Sequence, residues 1–381
     1  MNVLVTLSLI FLLATLFPYL FYVLLYLLIQ PNPPSLNTPK SLPSVSIVLP
    51  TFNESSIIEK KLNDLFSLDY PLDKLELVVI DSSTDDTLAI ISSFFRDIKT
   101  IQLTLIQESE RRGLAVALNE AYAAATHDIV IKTDCDSLLD PSCLKKAVSH
   151  FSDETVGAVT GTNAEVIGGS KVESGYRNVQ SYIQLLESHF DSTFIFHGPF
   201  SAFRKNCIVP VTEDSLADDT ELALNIRKQN FKALFDPNIK FKEAAHSAFW
   251  KRRLQKDRRA VGLVKVLLQN KNLLYNYGLY GSFVLPFNWW FLILSPWFVL
   301  LSLLSTIMAI FSFSPPMAVM ALLIFLTTMW LGQKDSLGPL QIFYSLFDTQ
   351  VSLLRSHLLL LSKKNTDGMW DVDSNLREMM Q

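Results

Sequence analysis

Asp134 and Asp136, separated by Cys135, directly follow the apolar run Ile129–Lys132. In an extended backbone residues i and i+2 face the same side, so both carboxylates can enter one site. Hard divalent ions such as Mg²⁺ or Mn²⁺ prefer carboxylate oxygens and share them with phosphates. An Asp-x-Asp triplet is common by chance, and its place at the end of an apolar strand gives it weight. Two more polar clusters end apolar runs in the same way: Pro50-Thr51-Phe52-Asn53-Glu54 after 45–49, and the segment 81–87, with Asp81, Asp85 and Asp86, after 77–80. Ser83 or Asp85 also suits plain capping of the next helix. Further on, Asp218-Asp219 precedes helix-forming residues 220–228, where an acidic first turn also complements the helix dipole.

Elements that would bring these clusters together are legible. The β-rich runs 45–49, 77–80, 103–106 and 129–132 alternate with segments of helical character at 54–66, 85–95 and 113–125. That succession predicts an α/β fold with a mostly parallel sheet. Ligands of such sheets bind beyond the carboxyl ends of the strands, so the three acidic clusters should share one edge.

Composition sets the surroundings. The chain has 381 residues, 49% of them hydrophobic, including 26 Phe, and its charged fraction of 18% is low for a soluble protein. Mean hydropathy is +0.26. Disorder and a disulfide scaffold are excluded, and a formal net charge of −4 supplies no general attraction to nucleic acid. Residues 3–29 carry no charge, and at about 1.5 Å per residue they exceed a hydrocarbon core of about 30 Å. No Lys or Arg precedes this run and no small-residue cleavage site follows, which predicts an uncleaved anchor that tolerates Pro18.

A second uncharged stretch lies between Lys271 and Lys334, broken at Pro315-Pro316, and predicts a hairpin of spans at about 283–311 and 317–331. Tyr280, Trp289 and Trp290 suit an interface near one end. Residues 340–361 place Leu340, Phe343, Phe347, Leu354 and Leu361 on one helical face, with Gln341, Ser345, Asp348, Ser352 and Arg355 on the other. This predicts an interfacial amphipathic helix, with a fourth span as the alternative. Lys251, Arg252, Arg253, Lys256, Arg258, Arg259, Lys265 and Lys271 precede the hairpin, while Lys334, Lys363 and Lys364 follow it. The positive-inside rule then puts residues 32–272 and the tail in the cytosol. Cys135, Cys143 and Cys207 lack CxxC spacing and suit reduced structural residues.

The ordered motifs carry a resemblance. Segments 48–54, 79–85 and 112–119, then Asp134-Cys135-Asp136, 198–204, Asp218-Asp219-Thr220-Glu221-Leu222 and 255–262, resemble a membrane-anchored family 2 glycosyltransferase of the GT-A fold. That group is similar to hyaluronan, chitin and cellulose synthases and their non-processive relatives. The resemblance implies a Rossmann-like catalytic domain over 44–262, after an anchor at 1–31 and a linker at 32–43. An interfacial connection at 263–282, the hairpin at 283–331, the helix at 340–361 and a cytosolic tail at 362–381 complete the expected layout.

By the same resemblance, Pro50, Asn53, Glu54, Asp81, Arg112 and Asp134 bind the nucleotide, and Asp136 binds Mn²⁺ or Mg²⁺. Asp219 is the general base. Gln255 and Arg258 contact the diphosphate, although Arg258 also suits a lipid-facing charge. Gly198 and Asp218 lie near the acceptor. His246 replaces a common proline and suits either a third metal ligand or a structural role. Arg259 stands where the processive synthases carry a sugar-stacking tryptophan, and Leu114 replaces a lysine, leaving Arg111 or Arg112 as the local cation. Trp370 matches a tryptophan found after the last membrane helix.

The implied activity is inverting, metal-dependent transfer of a sugar from a nucleotide sugar, UDP-linked in preference to GDP-linked. The acceptor is lipid-linked or a glycan, at the cytosolic face of the cell membrane, and transfer is non-processive. A processive polysaccharide synthase and a non-catalytic partner of the same fold are the alternatives. Membrane lipid is an expected partner and nucleic acid is not.

Overall fold

The computed structural model describes residues 2–34, 41–167, 171–244, 249–362 and Arg377. The chain forms two compact units. One comprises Met1–Pro31, Ser170–Leu186 and Ser247–Asn365, the other Asn32–Gly169, Glu187–His246 and Thr366–Gln381. Residues 247–262, expected at the end of the catalytic domain, thus cluster with the apolar unit.

The second unit is built on an 8-stranded sheet. Its strands are β1 (Val45–Thr51), β2 (Leu75–Asp81), β3 (Gln102–Gln107), β4 (Ile129–Lys132), β5 (Ser137–Leu139), β6 (Val156–Ile167), β7 (Ser201–Arg204) and β8 (Lys232–Ala244). They lie in the order β3-β2-β1-β4-β7-β6-β8-β5. β1, β2, β3 and β4 are parallel, as their alternation with helices predicts. β1 and β2 are buried almost throughout, which explains their near-continuous apolar runs, whereas β3 at the edge is partly exposed. Ile47, Leu49 and Ile131 feed a core on one face, and Val48, Val130 and Phe203 a core on the other.

The connecting helices Ile58–Phe66, Thr87–Phe94 and Leu114–Ala124 start later than their helical pattern suggests. Residues 54–57 and 85–86 are spent instead on the loops at the strand ends. Sheet direction changes at β4, which pairs antiparallel with β7 in the register Lys132↔Ser201. β7 is antiparallel to β6, while β6 and β8 are parallel. The carboxyl end of β4 therefore lies beside the start of β7, so residues 196–200 reach the same edge as the acidic clusters.

Glu76 stitches this half of the sheet together. Its carboxylate accepts hydrogen bonds from Ser46 Oγ at 2.5 Å, Thr126 N at 2.8 Å, Thr126 Oγ1 at 2.9 Å and Thr104 Oγ1 at 3.2 Å. Cys135 and Cys143 lie in one core and Cys207 in the other, all as buried free thiols.

In the apolar unit, Val3–Ile29, Tyr280–Phe313 and Pro315–Gln333 are long and apolar enough to cross a membrane. The hairpin breaks at Ser314, whose backbone is extended, with Pro315 opening the next helix. Within Tyr280–Phe313, π-turns at Tyr280–Val284 and Trp290–Leu294 stand immediately before the turns holding Pro286 and Pro296, which cannot donate to the helix ladder. The N-terminal helix packs on this one: Trp290 Nε1 donates to Ala14 O at 3.0 Å, and the Ser8 and Thr306 hydroxyls meet at 2.5 Å.

The helix Gln341–Leu361 is amphipathic, as expected, but its polar face is the covered one. Asp348 is buried and pairs with Arg253 and with Lys256, the latter at 2.9 Å. Ser352 Oγ accepts from Arg253 at 2.7 Å, and Arg355 pairs with Asp257 at 2.7 Å. Phe343, Leu358 and Leu361 are exposed. The basic helix Phe249–Gln269 supplies cations that the polar stripe would otherwise seek in water.

Candidate active site

The loops after β1 and β2 are laced to each other. Asp81 is fully buried, and its Oδ1 accepts from Thr51 Oγ1 and from Ser83 Oγ, each at 2.6 Å. Asn53 adopts the left-handed conformation, φ 54°, which asparagine tolerates better than most residues. Its Oδ1 accepts from Thr84 N at 2.8 Å, while its own N–H donates to Ser83 Oγ at 2.8 Å. Glu54 N donates to Thr87 Oγ1 at 2.8 Å. Asp85, weighed as a cap, binds Thr87 and Ser55. Pro50 pairs in register with Ile80. Asn53 and Asp81 therefore shape a rigid rim.

After β4 the chain turns at 135–136 and is not extended there as expected; Asp134 and Asp136 are both partly exposed, and Cys135 between them is buried. Lys61 fixes the turn from behind. It is fully buried, and its Nζ donates to Ser137 O at 2.8 Å and Thr133 Oγ1 at 3.0 Å. Thr133 Oγ1 in turn donates to Pro199 O at 2.9 Å, tying the turn to the segment before β7.

Asp134, just beyond β4, and the two acids that open the helix Asp218–Lys228 meet on one buried cation. Lys132 Nζ lies 2.8 Å from Asp134 Oδ1, 3.2 Å from Asp219 Oδ1 and 3.9 Å from Asp218 Oδ2. Gly198 closes the group: a Cβ there would stand 2.7 Å from Asp134 Oδ2, 2.9 Å from Lys132 Nζ and 3.1 Å from Asp219 Oδ2. Glu221 anchors the helix by accepting from Thr212 N at 2.9 Å and Thr212 Oγ1 at 3.0 Å. Burial, then the neighbouring Asp218, push the Asp219 carboxyl up to about 8 against the opposing pull of Lys132. A carboxyl so placed becomes a proton acceptor as pH rises through about 8, and its raised value makes it a stronger base than an ordinary carboxylate.

A second cation sits at Asp136. Arg377 Nη1 lies 2.9 Å from Asp136 Oδ2, and its Nη2 pairs with Glu54 Oε1. Glu54 Oε2 is buried and has no hydrogen-bond partner among the described residues. Burial raises the Glu54 carboxyl to about 7, against the lowering influence of Arg377. Asp136 is raised as well, first by burial, with Arg377 opposing and Asp134 and Glu243 adding to it. Glu54, Asp134 and Asp136 thus form one electrostatic group, continuous with Asp219 through Asp134. Among the described residues no three His, Cys, Asp or Glu side chains are placed to hold a metal by themselves. Two carboxylates that already bind a guanidinium do suit a cation completed by substrate phosphates.

The remaining expected residues have settings of their own. Arg112 is engaged by Glu108, at 2.9 Å, and by Glu120. Arg111 covers the Phe52 ring at 3.8 Å. Gln255 and Arg258 lie on Phe249–Gln269, in the apolar unit. His246 and Trp370 lie outside the described residues. Lys132, Lys61 and Arg377 were not anticipated. Lys61 shares a helix face with Ile58, Leu62 and Leu65, and Lys132 ends an apolar strand of three residues, so both had a signal: a lysine at a buried position. Arg377 had none.

Comparison with known proteins places this geometry. The glycosyl transferase family 2 profile matches residues 46–208, and the glycosyl transferase family group 2 profile matches residues 129–331, more than half of the chain. A poly-beta-1,6-N-acetyl-D-glucosamine synthase of Staphylococcus aureus (strain COL) is 25% identical over 205 residues, 51% of this chain and 48% of that protein. The probable glycosyltransferase YdaM of Bacillus subtilis (strain 168) is 25% identical over 209 residues, 52% of this chain and 50% of that one. The chain spans about half the length of these curated relatives. A solved structure, the mannosyltransferase PcManGT from Pyrobaculum calidifontis in complex with GDP-Man and Mn2+, superposes with a TM-score of 0.79 at 26% identity, over 95% of this chain and 100% of that one.

Proposed function

We propose a reaction for this chain from one premise: it belongs to the family 2 glycosyltransferases. It is a glycosyltransferase of the GT-A fold that acts on nucleotide sugars. In our reading the reaction is inverting transfer from a UDP- or GDP-linked sugar to a lipid-linked or glycan acceptor. It takes place at the cytosolic face of the cell membrane and requires Mn²⁺ or Mg²⁺. The basic residues 251–271 before the hairpin support that orientation. The expected segment layout, from the anchor at 1–31 to the tail at 362–381, belongs to the same proposal.

Asp219 takes the acceptor hydroxyl proton as that oxygen attacks the anomeric carbon from the face opposite the departing diphosphate. Asp218 and Gly198 border the acceptor. Pro50, Asn53, Glu54, Asp81, Asp134 and Arg112 form the nucleotide side, Asp81 acting through the Thr51 and Ser83 hydroxyls that it holds. Asp136 would hold the divalent ion together with diphosphate oxygens, with His246 as the candidate third ligand. When bound, the ion would neutralise charge on the leaving nucleoside diphosphate. Gln255 and Arg258 are proposed diphosphate contacts, since a guanidinium fork suits phosphate oxygens. The Mn2+ named with PcManGT supports the metal assignment. Arg259 in place of a stacking tryptophan favours single transfer over polymerisation.

The observation that carries this reading is the meeting of Asp134 with Asp218 and Asp219 at Lys132, which joins a strand-end acid to the proposed base. The test is nucleoside diphosphate release over a panel that includes GDP-mannose and UDP-N-acetylglucosamine, with Mn²⁺ or Mg²⁺. Asp219→Asn is the control. Turnover retained in that variant removes Asp219 from the mechanism.

A further inference from the structure

Resting on the transferase reading, we propose that Lys132 is the positioning residue of the proton acceptor: its buried ammonium, clamped between Asp134 and Asp219, fixes where Asp219 points and supplies the counter-charge for the acids around it. Three independent features converge on this.

The first is where the lysine stands. Lys132 is the last residue of β4, in register with Val48 of β1 on one side and Ser201 of β7 on the other. Its backbone is thus held in the middle of the sheet. The residues before it, Ile129, Val130 and Ile131, are buried and apolar, and Lys132 is buried with them. A cation here is a cost to the fold unless neighbouring charges compensate it.

The second is the compensation. Asp134 at 2.8 Å, Asp219 at 3.2 Å and Asp218 at 3.9 Å surround the ammonium, and among the described residues Tyr122 of the helix Leu114–Ala124 also acts on it. Without the lysine, three carboxylates would crowd the site with no cation among them. The pull of Lys132 on Asp219 opposes both burial and Asp218.

The third is the fit. A Cβ added at Gly198 would stand 2.9 Å from Nζ and 3.1 Å from Asp219 Oδ2, so the backbone at 198 closes one side of the group and leaves its charged tips little room to move. Asp134 therefore serves as a scaffold through Oδ1 while Oδ2 faces Gly198.

The test is Lys132→Met, which keeps the length and removes the charge, read as kcat and donor KM against pH with Asp219→Asn as the baseline. Loss of a cation beside a carboxylate moves its titration by about 1–3 units. The ascending limb of kcat is therefore expected to move up by that amount, with kcat at pH 7 down by about 10-fold or more, while any change in donor KM reports on Asp134, the lysine's other partner. Adding Asp218→Asn should bring the limb part of the way back, which a merely structural lysine would not allow. A Lys132→Met limb superimposable on wild type overturns the proposal, whatever the amplitude. Should Lys132→Met fail to fold, Lys132→Arg asks the converse question: retained charge predicts an unmoved limb, and a shift of about a unit overturns it. Wild-type protein inactive on every donor refutes the transferase reading. An active wild type with an unmoved limb refutes only the role of Lys132.

Discussion

Gly198→Ala tests the acid cluster by geometry alone, because it adds one carbon and no charge. That carbon would stand 2.7 Å from Asp134 Oδ2 and 3.1 Å from Asp219 Oδ2, where ordinary contact begins at 3.4 Å. The two carboxylates must then retreat by about 0.7 Å and about 0.3 Å, if the backbone holds still. It is well held. Phe196 N donates to Thr220 Oγ1 at 3.1 Å, Thr160 Oγ1 donates to Phe200 O at 2.8 Å, and Ser201 Oγ donates to His197 O at 2.9 Å. Side-chain tips therefore move, and the fold loses about 1–3 kcal/mol at most. Catalysis is less forgiving, since a misplacement of about 1 Å can cost about 10²-fold. We expect kcat for nucleoside diphosphate release to fall by about 10- to 100-fold, with the protein still folded by thermal melting. A variant that turns over within about two-fold of wild type would refute the claim that Asp134, Lys132 and Asp219 act as one set.

Turnover should rise through about pH 8 as Asp219 ionises, and Asp219→Asn should abolish both turnover and that limb while leaving donor binding by calorimetry nearly intact. Arg377→Ala should strengthen Mn²⁺ binding about 10-fold or more in a metal titration, because a competing guanidinium leaves Asp136 and Glu54; unchanged affinity would remove Asp136 as a ligand. Glu76→Gln should speed amide hydrogen exchange in β1–β3, since hydrogen bonds to a charged group contribute about 1.5–3 kcal/mol. Burial alone would raise the Glu76 carboxyl, but its hydroxyl and N–H donors hold it below the ordinary range. Its contribution is therefore complete above the ordinary carboxylate range and is lost as pH falls through the lowered value, so wild type and variant should converge in strong acid.

The parallel half of the sheet was legible because burial on both faces leaves continuous apolar runs, and polar residues mark where each run meets the ligand edge. The half from β5 to β8 was not. β8 mixes exposed and buried residues and contains Pro237, and β6 changes from buried to exposed along its length, so neither shows one clean period. The Asp-x-Asp spacing marked two acids that are both partly exposed, but the chain turns at 135–136 and each acid meets a different cation, Lys132 for Asp134 and Arg377 for Asp136. What spacing could not carry was the partner of each acid, since Lys132 and Arg377 act by position in space. The helix Gln341–Leu361 makes the same point: its periodicity marked two faces, and only the neighbouring cations decided which was covered.

That covered face has a mechanical consequence. Asp348 grips Arg253 and Lys256, one turn apart on the same helix, while Arg355 grips Asp257 from the next turns along. Sliding one helix past the other by a single turn, about 5.4 Å, would break all three pairs and leave the buried Asp348 without its cations. The seam works like a toothed rack: the pair can tilt or travel as one lever, but cannot slip. A displacement of Gln341–Leu361 along its axis is therefore shared, through these three pairs, with the helix that carries Gln255 and Arg258.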